Sequence, residues 1–93
     1  MILHLIQDSP EQSSALKACL RYATKQDCIL LSGNGVNSLL KQTLRSQLSE
    51  YTCVALQEDV EARGLMGFLN DIKLVNYNEF VALSLTHDKV ISW

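Results

Sequence analysis

The sequence is poor in charge, in aromatic rings and in the residues that interrupt regular structure. Charged side chains are 19% of the 93 residues, against roughly 25% in an ordinary soluble domain. A small domain has much surface for its volume, so this deficit leads us to expect that another chain covers part of it. The eight Lys and Arg form no cluster and the net charge is −2, which argues against a direct grip on a nucleic-acid backbone. No apolar run nears the roughly 20 residues of a membrane-spanning helix. No basic stretch precedes the first apolar run and Asp8 follows it closely, so a first strand is expected there and not a signal peptide. The expected compartment is the cytoplasm. Cysteine is an odd set of three, Cys19, Cys28 and Cys53, with no CxxC pair and with both histidines far away in sequence. That spacing favours neither a disulfide framework nor a zinc site, and no cofactor is expected.

Short apolar runs alternate with helical patterns. The runs are Ile2–Ile6, Cys28–Leu31, Thr52–Leu56, 72–75 and 90–93. Runs this continuous suit strands buried on both faces, as in a parallel sheet. Ser9-Pro10-Glu11-Gln12 has the form of a helix start with a capping box, followed by Leu16, Cys19, Leu20 and Ala23 on one stripe. A second helix is predicted after Gly33-Asn34-Gly35, with Val36, Leu39, Leu40, Thr43, Leu44 and Leu48 inside. A third is predicted over 58–69, where Gly64 and Gly67 imply close backbone packing or an interruption. A fourth opens at Asn76, with Glu79 completing a capping box. The order βαβαβαβαβ predicts an α/β fold: one domain over 1–93 with an open, mainly parallel sheet of about five strands and helices on both faces. The last strand follows its helix so closely that it could pair at an edge in either sense.

Several residues carry possible chemistry. Gly33-Asn34-Gly35 could present backbone amides to an anion, but the third glycine of a dinucleotide fingerprint is replaced by Ser38 and no P-loop Lys follows. A tight turn explains it as well. Cys19 could be a thiol nucleophile, or a small apolar residue on the inner stripe of its helix. His4 sits mid-strand and could act as a base, though a hydrogen-bonded core histidine is the simpler reading. His87, at a helix C-terminus, suits the dipole there. Glu58, Asp59 and Glu61 crowd a helix start that favours acids, and Arg63 lies close enough to pair with one of them.

Taken in order, these segments resemble the TusB/DsrH family. The resemblance rests on Leu3-His4-Leu5-Ile6 with Ser9-Pro10, on Cys19-Leu20-Arg21-Tyr22-Ala23, and on Ile29-Leu30-Leu31 leading to Gly35-Val36. It continues through Glu58-Asp59 with Ala62-Arg63-Gly64-Leu65, then Asn76-Tyr77, Phe80-Val81, Leu83, His87 and Ser92-Trp93. The resemblance implies a DsrE/DsrF-like fold. It also implies a mainly structural, non-catalytic subunit of a heterohexameric sulfurtransferase complex with TusC-like and TusD-like partners. Such a complex passes persulfide sulfur from a TusA-like to a TusE-like carrier for 2-thiolation of the tRNA wobble uridine, and tRNA is met only indirectly. The alternatives it implies are a DsrH-type subunit of a DsrEFH sulfur-oxidation complex, or a sulfurtransferase using Cys19 as persulfide carrier. The isolated chain could also form a homo-oligomer. The expected partner surface lies around the third helix and the end of the chain, with Leu65, Phe68 and Trp93 as anchors.

Overall fold

A computed structural model describes residues 1–68 and 71–93, Phe68 in its backbone only. Each apolar run contributes a strand: β1 (Ile2–Ile6), β2 (Cys28–Leu31), β3 (Thr52–Leu56), β4 (Lys73–Val75) and β5 (Lys89–Ser92). They form one sheet in the order β4-β3-β2-β1-β5, parallel throughout. The continuous apolar character has its expected cause: every residue of central β2 is buried. The open question of β5 resolves to parallel pairing, Leu3 opposite Val90 and Leu5 opposite Ser92. Helix α4 (Tyr77–Thr86) carries the chain from β4 at one edge to β5 at the other. It thereby returns the chain to the edge where strands begin, and a parallel strand follows.

Alternation of side chains along each strand divides the interior. Ile6, Ile29, Leu31 and Ala55 face one side, where they pack with Leu16 and Cys19 of α1 (Ala15–Tyr22), Leu44 and Leu48 of α2 (Gln42–Leu48) and Val60 of α3 (Gln57–Ala62). Leu3, Cys28, Leu30, Val54 and Val75 face the other side, against Phe80 and Leu83 of α4.

Helix boundaries depart from the sequence pattern in three places. Ser9 does not start α1. Its carbonyl accepts the Gln12 and Ser13 amides in a turn, and α1 begins only at Ala15, whose amide donates to Ser13 Oγ. The serines here form local side-chain bonds that compete with helix. The second helix divides into a 3₁₀ segment over Gly33–Leu40 and α2, with extended Lys41 between them. The cause lies at Gly35: its amide donates to the Gln7 and Ser32 carbonyls, and a Cβ there would stand 2.2 Å from the Ile6 carbonyl oxygen. The backbone is held so close to the end of β1 that only glycine fits.

The third helix stops at Ala62, before the glycines. Gly64 adopts φ +66°, its amide donates to the Glu61 carbonyl, and the Leu65 amide reaches back to the Val60 carbonyl. This is a Schellman cap, with buried Leu65 as its apolar plug. Neither Gly64 nor Gly67 has a heavy atom within 4 Å of where a Cβ would stand. The interruption is thus real, whereas close backbone packing at these glycines is not. The expected end of that helix at residue 69 lies outside the described residues. At α4 both bonds of the Asn76–Glu79 capping box are made, at 2.8 and 2.9 Å.

Candidate functional site

Cys19 lies in α1 on the stripe that faces the sheet, and none of its surface reaches solvent. Burial pushes its thiol up to about 12, and the nearby Asp27 carboxylate adds to the rise. Burial likewise pushes Cys53 up to about 12 and raises Cys28. At Cys19 burial and the Asp27 charge both oppose the electropositive, accessible setting in which a thiol becomes a nucleophile near neutral pH. Among the described residues no group of His, Cys, Asp and Glu is arranged to hold a metal ion.

The most organised polar cluster surrounds His4, and sequence reading did not assemble it. His4 is fully buried on β1 and pairs in register with Ile29 of β2 and Ile91 of β5. Trp93, two residues beyond Ile91, therefore falls on the same side of the sheet. Its indole N–H donates to His4 Nδ1 at 3.0 Å. An indole nitrogen can only donate, so Nδ1 carries a lone pair and Nε2 carries the proton. Nε2–H donates to Asp27 Oδ2 at 2.9 Å. Asp27 stands in the turn before β2, where its Oδ1 accepts the Ile2 amide at 3.0 Å and its Oδ2 the Thr24 amide at 3.1 Å. Burial by itself raises the Asp27 carboxyl. The bonds from His4, Ile2 and Thr24 outweigh it and hold the group well below the usual carboxylate range. Tyr22 of α1 completes an aromatic trio, 5.8 Å from His4 and 5.9 Å from Trp93 between ring centres. The hydrogen-bonded core histidine expected at His4 is found, but its partners were not legible in the sequence. The partners come from sequence distances of 23 and 89 residues.

The acidic helix start is a tether between loops. Asp59 Oδ2 accepts the Gly33 amide at 2.7 Å. Arg63 pairs with Asp59 at 3.7 Å and donates to Asn34 Oδ1 at 2.8 Å. Glu58 accepts the Tyr77 amide at 3.2 Å. The connections after β2, β3 and β4 are thus joined at the carboxyl edge of the sheet. The Gly33 and Gly35 amides that an anion would need are already bonded to Asp59, Gln7 and Ser32, so the tight-turn reading prevails there. His87 Nδ1 donates to the Leu83 carbonyl at 2.8 Å and so caps α4.

Of the expected partner anchors, Leu65 belongs to the core, Trp93 is half-buried, and the Phe68 side chain lies outside the described residues. The prominent exposed apolar positions include Tyr77, Val81 and Leu85, spaced four apart along α4, with Leu85 80% exposed. No described helix is long and apolar enough to cross a membrane.

Residues 8–90 match the family model described as DsrH like protein. The chain belongs to the DsrH-like family. It is 38% identical over 96 aligned positions to the protein named TusB in Yersinia pestis, covering 99% of this chain and all of that one, and matches the TusB of Yersinia pseudotuberculosis equally well. Among solved structures it resembles protein Tm0979 of Thermotoga maritima, at TM-score 0.70 and 26% identity over 96% of this chain and 97% of that one. It also resembles BT1422 of Bacteroides thetaiotaomicron, at TM-score 0.75 over 99% and 94% of the two chains; at 17% identity this likeness concerns the fold alone.

Proposed function

We propose that the chain, acting as one domain over 1–93, is a TusB/DsrH-type subunit of a sulfur relay and serves it chiefly as a structural member. The reading places it in a cytoplasmic heterohexamer with TusC-like and TusD-like subunits. That assembly takes persulfide sulfur from a TusA-like carrier and hands it to a TusE-like one, toward 2-thiolation of the tRNA wobble uridine. In each transfer an acceptor thiolate attacks the outer sulfur of a persulfide, a new S–S bond forms, and the donor leaves as thiolate.

The observation that carries the reading is the full-length 38% identity to proteins named TusB. The state of the thiols supports a passive role. A carrier needs an accessible thiol that ionises near neutral pH, whereas Cys19 is fully buried and its burial pushes the thiol up to about 12. The exposed apolar stripe on α4 supports assembly, since such surface is what a like-folded partner would cover. Co-expression with TusC-like and TusD-like chains followed by size-exclusion chromatography tests it. Co-elution in one complex is expected, and a chain that stays monomeric beside both partners contradicts it.

The position of Cys19 in the first helix favours a second reading, in which Cys19 accepts and passes on sulfur within a DsrH-type complex. Incubation of the isolated chain with a persulfide donor, followed by mass spectrometry, separates the two. Sulfur that appears on the native chain and not on Cys19→Ser supports the carrier. No Cys19-dependent gain supports the structural role.

A further inference from the structure

We propose that His4, Asp27 and Trp93 form a proton-controlled latch, which seats the end of β5 only while the His4 imidazole is neutral. The Trp93 indole N–H stands 3.0 Å from His4 Nδ1, a contact that is a hydrogen bond only while Nδ1 is bare. A charged imidazole carries a proton on both nitrogens, and two N–H groups would then point at each other. His4 is fully buried, so no solvent is at hand to accept the second proton. An unmet buried donor is costly.

One of the partners must therefore move. Asp27 is fixed by the Ile2 and Thr24 amides and attracts a charged ring, so it holds His4 in place. Trp93 is the weaker anchor. It follows the edge strand β5, its backbone is tied by one bond from its amide to the Leu5 carbonyl at 3.1 Å, and its ring leans on His4 and Tyr22 at 6.0 and 5.9 Å. Protonation of His4 thus unseats the indole. By reciprocity a seated indole favours the neutral ring. The titratable groups facing this cluster are few. Asp27 comes from the turn before β2 and stays charged. Tyr22 and Cys19 come from α1, the thiol feeling the Asp27 charge. The Met1 ammonium feels that charge too. Histidine is the side-chain type whose ordinary range spans pH 5 to 8.

Trp93 is the only tryptophan and His87 the only other histidine, which makes the test clean. The full chain, labelled with ¹⁵N, is titrated from pH 8 to pH 5. Imidazole and indole resonances are followed by NMR and indole emission by fluorescence, with a His87→Gln variant to assign the rings. The expected result is a neutral His4 protonated on Nε2 at pH 8. On acidification its protonation and the indole resonance change at one shared midpoint, and emission shifts to the red. In Trp93→Phe the N–H is gone, and the imidazole midpoint moves up by roughly half to one pH unit. In His4→Asn the amide oxygen offers an acceptor that does not titrate, and emission stays flat over the same range. Where that variant does not fold, Trp93→Phe carries the test. The proposal is overturned if the indole resonance is unmoved while His4 protonates, if Trp93→Phe titrates like the native chain, or if His4 stays neutral until the whole chain unfolds.

Discussion

On one face of the sheet, α1, α2, α3 and the 3₁₀ segment enclose a core that runs from Ile6 and Ile29 to Leu48 and Val60. On the other face lies α4, and not one of its residues is buried. Both faces are apolar, yet only the first is closed by the chain's own helices. The second keeps Leu3, Leu30 and Val54 covered by the inner side of α4 while the outer side of that helix shows Tyr77, Val81 and Leu85 to solvent. Face one accordingly carries most of the stability of the single chain, and face two leaves apolar surface exposed, which under the proposed function is where partners would dock. The two faces should answer differently to the same kind of change.

The largest effects belong to the closed face. Gly35→Ala would set a Cβ against the Ile6 carbonyl, a clash with backbone that cannot yield, and should cost about 3 kcal/mol or more in urea unfolding. Leu31→Ala, on fully buried β2, should cost about 3 kcal/mol. A loss below about 1 kcal/mol at either position would break the contrast.

Asp27→Asn comes next, with a loss of about 2 kcal/mol, because charge-assisted bonds to His4, Ile2 and Thr24 weaken together. The pH dependence has a definite sign. The carboxyl is lowered in the folded chain, so its stabilisation is present above the unfolded value of about 3.9 and is lost as pH falls through the folded value. The native chain should lose stability in acid more steeply than Asp27→Asn, as read by melting temperature against pH.

On the open face the effects are smaller. Asn76→Ala removes one half of the α4 capping box and should cost about 1 kcal/mol. Leu85→Ser should change the stability of the isolated chain by less than about 0.5 kcal/mol and yet weaken co-elution with TusC-like and TusD-like partners. A Leu85→Ser chain that assembles as well as the native one would move the partner surface elsewhere, toward Trp93.

The strand runs, the parallel sheet and the Asn76 cap were legible in the sequence because each depends on local pattern: continuous apolar residues for doubly buried strands, and a capping box four residues long. Helix limits were less legible. The split after Leu40 depends on the contact of Gly35 with the end of β1, and the stop at Ala62 on a left-handed Gly64. Neither is set by periodicity. The His4 cluster was the least legible part. Its members come from a strand, a turn and the residue after the last strand, and only the sheet order brings them together. The segment Glu58-Asp59 with Arg63 was distinctive in sequence, but its use as a tether for Gly33, Asn34 and Tyr77 needed the fold.

The central claim, that this chain is built to be completed by others, is tested most directly by native mass spectrometry of the chain co-expressed with TusC-like and TusD-like subunits. The account predicts a single heteromeric species containing this chain, with the α4 amides gaining protection from hydrogen exchange on assembly. A free monomer in the presence of both partners, with α4 exchanging as it does alone, would contradict it.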